Sequence, residues 1–121
     1  MSSARLTIED YAGVTVVTFM DSSLLDSAII DTIAKDLFHL VDKQNKQKII
    51  LDFSSVRLLS SQILGVLTSL HRKCDEIKSS LALCGVRKEL MRVFVLTGLD
   101  KLLHFYAKDA DALAAFGVRV S

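Results

Sequence analysis

The sequence contains no proline, so glycines and polar clusters have to end its helices and strands. It has only two cysteines, Cys74 and Cys84, and they do not form a C-x-x-C pattern. We therefore expect reduced, buried thiols rather than a disulfide or a metal pair. Charge of one sign is not in excess either, because 15 basic and 14 acidic residues leave a net charge of +1. This balance argues against a nucleic-acid-binding protein, which usually presents a basic face.

Long apolar runs are also absent. No segment approaches the roughly 20 apolar residues of a membrane-spanning helix, which predicts no membrane insertion. The N-terminal stretch MSSARLTIEDYAG lacks the apolar core of a signal peptide, so we expect a cytoplasmic protein.

The composition is that of a globular protein, with 50% hydrophobic and 24% charged residues. A chain of 121 residues is long enough for one domain with its own core and too short for two ordinary domains. We therefore predict that residues 1–121 form a single domain, with a core that spans approximately residues 5–117.

Hydrophobic periodicity divides the chain into alternating strands and helices. Strand-like patterns cover residues 5–11, 14–19, 48–53 and 80–86, and a brief further strand lies within residues 100–106. Helical spacing covers residues 27–42, with Asp26 as a candidate N-cap, then residues 61–77, 87–98 and 109–117, the last with Asp109 as its cap. The order β-β-α-β-α-β-α-β-α predicts an α/β fold, with a mixed, mostly parallel sheet and about four helices packed on it.

Functional groups in such sheets gather where strands end and helices begin, and residues 49–67, IILDFSSVRLLSSQILGVL, form such a junction. Ser61 lies at the predicted start of the second helix, where a serine hydroxyl accepts a bond from a free backbone N–H group, worth about 1 kcal/mol. Ser60 could fill the same capping role. The functional alternative is that one hydroxyl caps the helix while the other is presented to a kinase.

A glycine inside this helix points to a surface. Ser61, Gly65, Ser69 and Arg72 recur at helical spacing and form one stripe. A glycine inside a helix costs roughly 1 kcal/mol relative to alanine. Gly65 either packs closely against the protein's own sheet or a neighbouring helix, or it lets a partner approach the backbone. We favour the partner, because the same stripe carries the serine.

Intrinsic catalysis and metal binding are not expected. His39, His71 and His104 lie far apart in the sequence and lack the spacing of metal ligands. There is no glycine-rich phosphate loop, nucleophile elbow or close carboxylate pair. We therefore predict a protein that is not an enzyme and that needs no cofactor.

From VTVVTF onward the sequence resembles the STAS domain, the family named for sulphate transporters and anti-sigma factor antagonists. The resemblance rests on LLDS before the first helix, on residues 49–67, and on LCGVRKELMRVFVLTGLDKLL after them. In the small bacterial anti-sigma factor antagonists the central motif reads Asp-Ser-Ser/Thr-Gly-Leu-Gly. The corresponding residues here are Ser60, Ser61, Gln62, Ile63, Leu64 and Gly65. Ser60 thus stands in place of the aspartate, and Ile63 in place of the first glycine.

The resemblance implies that Ser61, or alternatively Ser60, is phosphorylated by an anti-sigma factor that is also a serine kinase of the histidine-kinase-like ATPase fold. The unphosphorylated form would bind that partner and free the sigma factor, and the phosphorylated form would not bind. A PP2C-type serine phosphatase would reset the switch.

The resemblance also implies that the link before the first helix, including Leu25, contributes to the same surface, although a solvated turn is the alternative reading of this link. The expected partner-binding residues are Asp21, Ser22, Ser23, Asp26, Ser60, Ser61, Gln62, Gly65, Ser69 and Arg72.

Two other hypotheses remain open at this point. The chain could be a STAS scaffold, or a partner subunit of a signalling or transport complex, whose serines are never phosphorylated. It could also be a small-molecule binding module that uses the helix N-terminus as an anion site.

Overall fold

The secondary structure follows the predicted alternation of strands and helices in the computed structural model, which describes residues 5–118. The strands are β1 (Leu6–Tyr11), β2 (Val14–Phe19), β3 (Ser23–Leu24), β4 (Lys48–Asp52), β5 (Leu58–Leu59), β6 (Ser80–Cys84) and β7 (His104–Tyr106). The helices are α1 (Ser27–Asp42), α2 (Ser61–Glu76), α3 (Lys88–Leu96) and α4 (Asp109–Ala115), with a 3-10 turn at Leu99–Lys101.

Five strands form the main sheet in the order β1-β2-β4-β6-β7. Only the β1–β2 pair is antiparallel, and the other three pairs are parallel. The sheet is therefore mixed and mostly parallel, as predicted. The central strand β4 places Ile49, Ile50 and Leu51 in the interior with no exposed surface, as expected for a strand covered on both faces.

Successive side chains of β4 enter two different cores, because side chains alternate between the faces of a sheet. Ile49 and Leu51 belong to the larger core, which contains residues of α1, α2 and α3. Ile50 belongs to a smaller core with Ala112 and Leu113 of α4. Three helices therefore cover one face of the sheet, and α4 covers the other.

The link between β2 and α1, for which a solvated turn was the alternative reading, contains a strand. Ser23 and Leu24 form β3, which pairs in parallel with β5, so that Ser23 lies opposite Leu58 and Leu24 opposite Leu59. Both segments read as loops in the sequence, because a strand of two residues is too short to show alternation. The pairing brings the link beside the segment that enters α2.

The helix starts agree with the prediction at α1 and differ at α4. The Asp26 carboxylate accepts hydrogen bonds from the N–H groups of Ala28 at 2.9 Å and Ile29 at 3.2 Å, which makes it the N-cap of α1. Asp109 is the first residue of α4 rather than its cap. Its carboxylate accepts a bond from the N–H group of Ala110, the next residue. A capping side chain instead accepts a bond from an N–H group two or three residues further along the chain.

The C-terminal part of the chain is less regular than predicted. Helix α3 ends at Leu96, before Gly98, whose φ of 79° cannot continue a right-handed helix. The 3-10 turn then occupies the positions where the last strand was predicted to begin, so that β7 starts only at His104.

Candidate functional site

The predicted site lies beyond the carboxyl end of β4, where the chain crosses to α2. The Asp52 carboxylate accepts bonds from the Ser54 N–H at 2.9 Å and the Ser54 hydroxyl at 2.6 Å, which closes a tight turn after the strand. Gly85, with a φ of 69°, lies so close to this turn that an added Cβ would be 3.0 Å from the Ser54 backbone nitrogen. Ser54 therefore has a structural role in the loop that follows β4.

Backbone hydrogen bonds tie the link before α1 to the start of α2. The Ser22 carbonyl accepts bonds from the N–H groups of Arg57 at 2.7 Å and Leu58 at 3.2 Å. One step further, the Ser60 N–H donates to the Leu24 carbonyl at 3.0 Å. This short ladder of backbone bonds holds the segment that enters α2 beside the link.

The two serines at the start of α2 have different environments. Ser60 is the N-cap residue and Ser61 the first helical residue, but among the described residues no side-chain hydrogen bond caps the helix. The prediction of a capping hydroxyl was therefore wrong, because the Ser60 hydroxyl is buried, where it finds no partner among residues 5–118. Ser61, in contrast, is exposed to solvent. Of the two hydroxyls, that of Ser61 is the accessible one.

The predicted stripe on α2 is open to solvent along most of its length. Ser61, Gly65 and Arg72 are exposed, and Ser69 is half-buried. Apart from its two chain neighbours and the helix's own backbone, no atom of the described residues lies within 4 Å of a Cβ added to Gly65. Close packing within the domain therefore does not account for this glycine.

Several residues predicted to bind a partner also have structural roles. Asp21 is half-buried and forms a 3.0 Å ion pair with Arg5. Gln62 donates to the Asp31 carboxylate of α1 at 3.0 Å, and thereby connects the N-terminal parts of the two helices. Together with Asp26 at the cap of α1, these residues hold the surface together, whereas Ser22 and Ser23 are exposed on it.

Exposed apolar side chains lie in the same two segments. Met20 is 57% exposed, Leu25 50% and Leu58 54%. Met20 and Leu58 are not among the predicted partner-binding residues, since no periodic pattern distinguishes an exposed leucine from the buried ones around it. Apolar side chains exposed beside polar ones are typical of protein–protein interaction sites.

The two cysteine thiols are not in a reactive form. Both cysteines are buried and free. Burial raises the pKa of the Cys74 thiol to about 11 and that of Cys84 to about 12, so both thiols are protonated at neutral pH. Within residues 5–118 no cluster of three or more His, Cys, Asp or Glu side chains could hold a metal ion. None of the helices in this part of the chain has the length and apolar character that a membrane span requires.

Comparisons with known proteins agree with this architecture. A family model described as the STAS domain matches residues 5–112. The anti-sigma F factor antagonist of Paenibacillus polymyxa is 22% identical over 114 residues, which cover 94% of this chain and 96% of that protein.

Two solved structures share the fold. An anti-sigma-factor antagonist (STAS) domain protein from Planctomyces limnophilus matches with a TM-score of 0.82 at 22% identity, covering 94% of this chain and 98% of the other. The Bacillus cell fate determinant SpoIIAA, in its phosphorylated form, matches with a TM-score of 0.73 at 16% identity, covering 92% and 98%.

Proposed function

The chain belongs to the STAS domain family, and we propose that it is an anti-sigma factor antagonist whose binding is controlled by phosphorylation of Ser61. The observation that carries this proposal is the exposure of Ser61 at a helix N-terminus that no side chain of residues 5–118 caps. Ser60, the alternative acceptor, has a buried hydroxyl that a kinase does not reach in this conformation.

The proposed docking surface combines three groups of residues. It consists of the α2 stripe (Ser61, Gly65, Ser69 and Arg72), the exposed serines of the link (Ser22 and Ser23) and the apolar side chains around them (Met20, Leu25 and Leu58). Half-buried Asp21, Ser60 and Gln62 support this surface from within, and exposed Asp26 caps α1 at its edge. Aliphatic contacts supply area for binding, while the open face at Gly65 lets a partner approach the helix backbone.

A phosphate on Ser61 would change this surface without unfolding it. It adds about −1.5 to −2 charge units and three strong acceptor oxygens. The free N–H groups and the dipole of the α2 N-terminus favour an anion at this position. Because the same charge would have to be desolvated when a partner covers the surface, phosphorylation opposes binding rather than folding.

Ser60 makes the phosphate easier to accommodate. A carboxylate at this position would repel the adjacent phosphate, whereas a neutral serine does not. The phosphorylated SpoIIAA structure supports the proposal, because it is a protein of this fold that carries the modification.

The proposed partner is an anti-sigma factor that is also a serine kinase of the histidine-kinase-like ATPase fold, with a PP2C-type phosphatase to restore the free serine. Two observations support this choice: the motif at residues 60–65, and the relative from Paenibacillus polymyxa, which is named for its antagonism of anti-sigma factor F.

The test is to measure binding of an ATPase-type anti-sigma factor from the same organism by titration calorimetry. Two forms of this chain are titrated into the anti-sigma factor: the unmodified chain, and a chain with phosphoserine incorporated at position 61 during translation. We expect the phosphate to weaken binding about 100-fold or more, since an unpaired charge at an interface costs several kcal/mol. Ser61→Asp should weaken it in the same direction.

A matched control is Ser80→Asp, which adds the same charge at an exposed serine at the start of β6, at the other end of the sheet from the carboxyl end of β4. Its binding should equal that of the unmodified chain. Incubation with the anti-sigma factor and ATP, followed by mass spectrometry, should place one phosphate on Ser61. Phosphate on neither Ser61 nor Ser60 would refute the switch.

A scaffold without phosphorylation is the second candidate, and a specific observation favours it. The chain has a second exposed apolar surface on α3, where Leu96 is 86% exposed, and the Ser61 switch does not use it. In a scaffold, Ser61→Ala and Ser61→Asp should have equal effects on assembly, whereas in the switch only the aspartate should weaken binding.

A further inference from the structure

An exposed base, Arg57, lies among the residues of the proposed docking surface without being one of them. Its backbone N–H donates to the Ser22 carbonyl at 2.7 Å. The next residue, Leu58, lies opposite Ser23 in the pair of β3 with β5. Because Ser22, Ser23 and Leu58 all belong to the docking surface, the main chain of Arg57 is held in place within it.

The Arg57 guanidinium has no ion-pair partner within residues 5–118. Arg72, on the α2 stripe, is also exposed and has no ion pair in this part of the chain. The ion pairs found there join other residues, namely Arg5 to Asp21, Lys46 to Asp10 and Lys73 to Asp42. Both bases can therefore pair with groups outside the domain.

The acids near the docking surface are engaged within the domain instead. Asp21 forms a 3.0 Å ion pair, and Asp26 accepts the N–H groups that it caps in α1. The Asp31 carboxylate accepts a hydrogen bond from Gln62 at 3.0 Å. Each of these carboxylates has a donor from this chain, whereas the two exposed bases have no carboxylate. The charged groups left for a partner are therefore the bases.

We propose that Arg57 is a further partner-binding residue, and that Arg57 and Arg72 each pair with a carboxylate of the anti-sigma factor. This rests on the proposed function and adds the chemistry of the partner, whose contact surface carries acids opposite these two positions. A guanidinium suits the role because it donates two parallel hydrogen bonds to one carboxylate. Its aliphatic stem can also cover the exposed side chain of Leu58.

Acids on the partner give a phosphate on Ser61 a second way to oppose binding. Ser61 follows Arg57 by four residues and belongs to the same surface. Its phosphate would have the same sign as the carboxylates that approach Arg57. Like charges repel strongly at a contact that excludes water. The phosphate would therefore meet repulsion in addition to the cost of desolvation.

The test is to measure binding of the ATPase-type anti-sigma factor to charge variants of this chain by titration calorimetry. Arg57→Glu should weaken binding about 10-fold or more, because it places two carboxylates against each other. Arg57→Lys should weaken it less, since lysine keeps the charge but not the paired hydrogen bonds. Both variants keep the bond to Ser22, because a backbone N–H donates it, and circular dichroism checks that they are folded.

The matched control is Arg92→Glu, the same charge reversal at an exposed base of α3, a helix that contributes no residue to the docking surface. Its affinity should equal that of the unmodified chain. Salt separates charge from packing. The affinity of the unmodified chain should fall as ionic strength rises, and the fall should be smaller for the double variant Arg57→Gln/Arg72→Gln. An equal salt dependence of the two chains would overturn the proposed pairing.

The outcomes separate the pairing from the proposed function. An unmodified chain that binds, with an affinity that Arg57→Glu leaves unchanged, would overturn the pairing alone. Binding that Arg57→Glu weakens and a phosphate on Ser61 does not would support the pairing and refute the switch. No binding by the unmodified chain would overturn both. Loss of affinity for single-stranded DNA on Arg57→Glu, with unchanged affinity for the anti-sigma factor, would assign the base to a nucleic acid and overturn the pairing.

Discussion

Replacing Gly65 with alanine should stabilise the protein, even though the glycine lies in the proposed docking surface. The substitution removes the entropic cost of a glycine inside α2, which is about 0.5–1 kcal/mol relative to alanine. No steric cost opposes this gain, because within residues 5–118 a Cβ at this position would find no atom within 4 Å beyond its chain neighbours and the helix backbone. We expect the free energy of unfolding to rise by about 0.5–1 kcal/mol, and the melting temperature by about 2–5 °C.

Urea denaturation, monitored by circular dichroism, measures the free energy of unfolding. Gly98→Ala is the matched control for Gly65→Ala. Gly98 has equally open surroundings but a φ of 79°, which an L-residue adopts only with strain. The same chemical change should therefore lower stability there by about 1 kcal/mol. A destabilising Gly65→Ala would refute the open environment of Gly65, since only a hidden contact could reverse the sign.

Binding should respond in the opposite direction at Gly65. Gly65→Gln introduces a good helix former that reaches into the space where a partner is proposed to approach. It should keep or raise the melting temperature while weakening binding of the anti-sigma factor about 10-fold or more, as substitutions within a closely packed interface do. Unchanged affinity would remove Gly65 from the docking surface and leave the stability argument intact.

Two further predictions concern parts of the fold around the site and opposite it. Asp26→Ala should lower the free energy of unfolding by about 1 kcal/mol in urea denaturation, and Asp26→Asn by much less, because an amide oxygen also accepts the cap bonds of α1. The hydrogen bond from buried Thr15 lowers the pKa of the Asp10 carboxyl below its usual value. The stability from this shift is present above the unfolded-state pKa and is lost as the pH falls through the folded-state pKa. Thr15→Val should therefore raise the Asp10 pKa in an NMR titration and make stability depend less on pH in that acid range, whereas an unmoved pKa would contradict the assigned cause.

The helices and the central strand were predictable because their signals are local. The spacing of Ile30, Ile33 and Leu37 specifies one face of α1, and all three are buried in the structure. The run from Ile49 to Leu51 is apolar without alternation, which is the pattern of a strand buried on both faces. In these elements each residue's environment depends on neighbours a few positions away.

The details of the site were not predictable, because they depend on pairing between distant segments. Leu58 and Leu59 are adjacent leucines, yet one is 54% exposed and the other packs against the core. Their difference follows from the pairing of β5 with β3, which is set by the fold and not by the local pattern. The same pairing fixes where α2 begins, since the Ser60 N–H bonds to the Leu24 carbonyl.

The way the fold holds Ser61 bears on how a switch can work there. If the Ser61 hydroxyl capped α2, a phosphate on it would remove a bond that stabilises the helix, and the modification would change folding and binding together. Here the backbone ladder through Leu24 and Ser60 positions the helix, and within residues 5–118 the Ser61 hydroxyl forms no hydrogen bond that a phosphate would break. A phosphate on Ser61 is therefore free to act on the surface alone, which is the condition for a switch that changes partners without altering the domain.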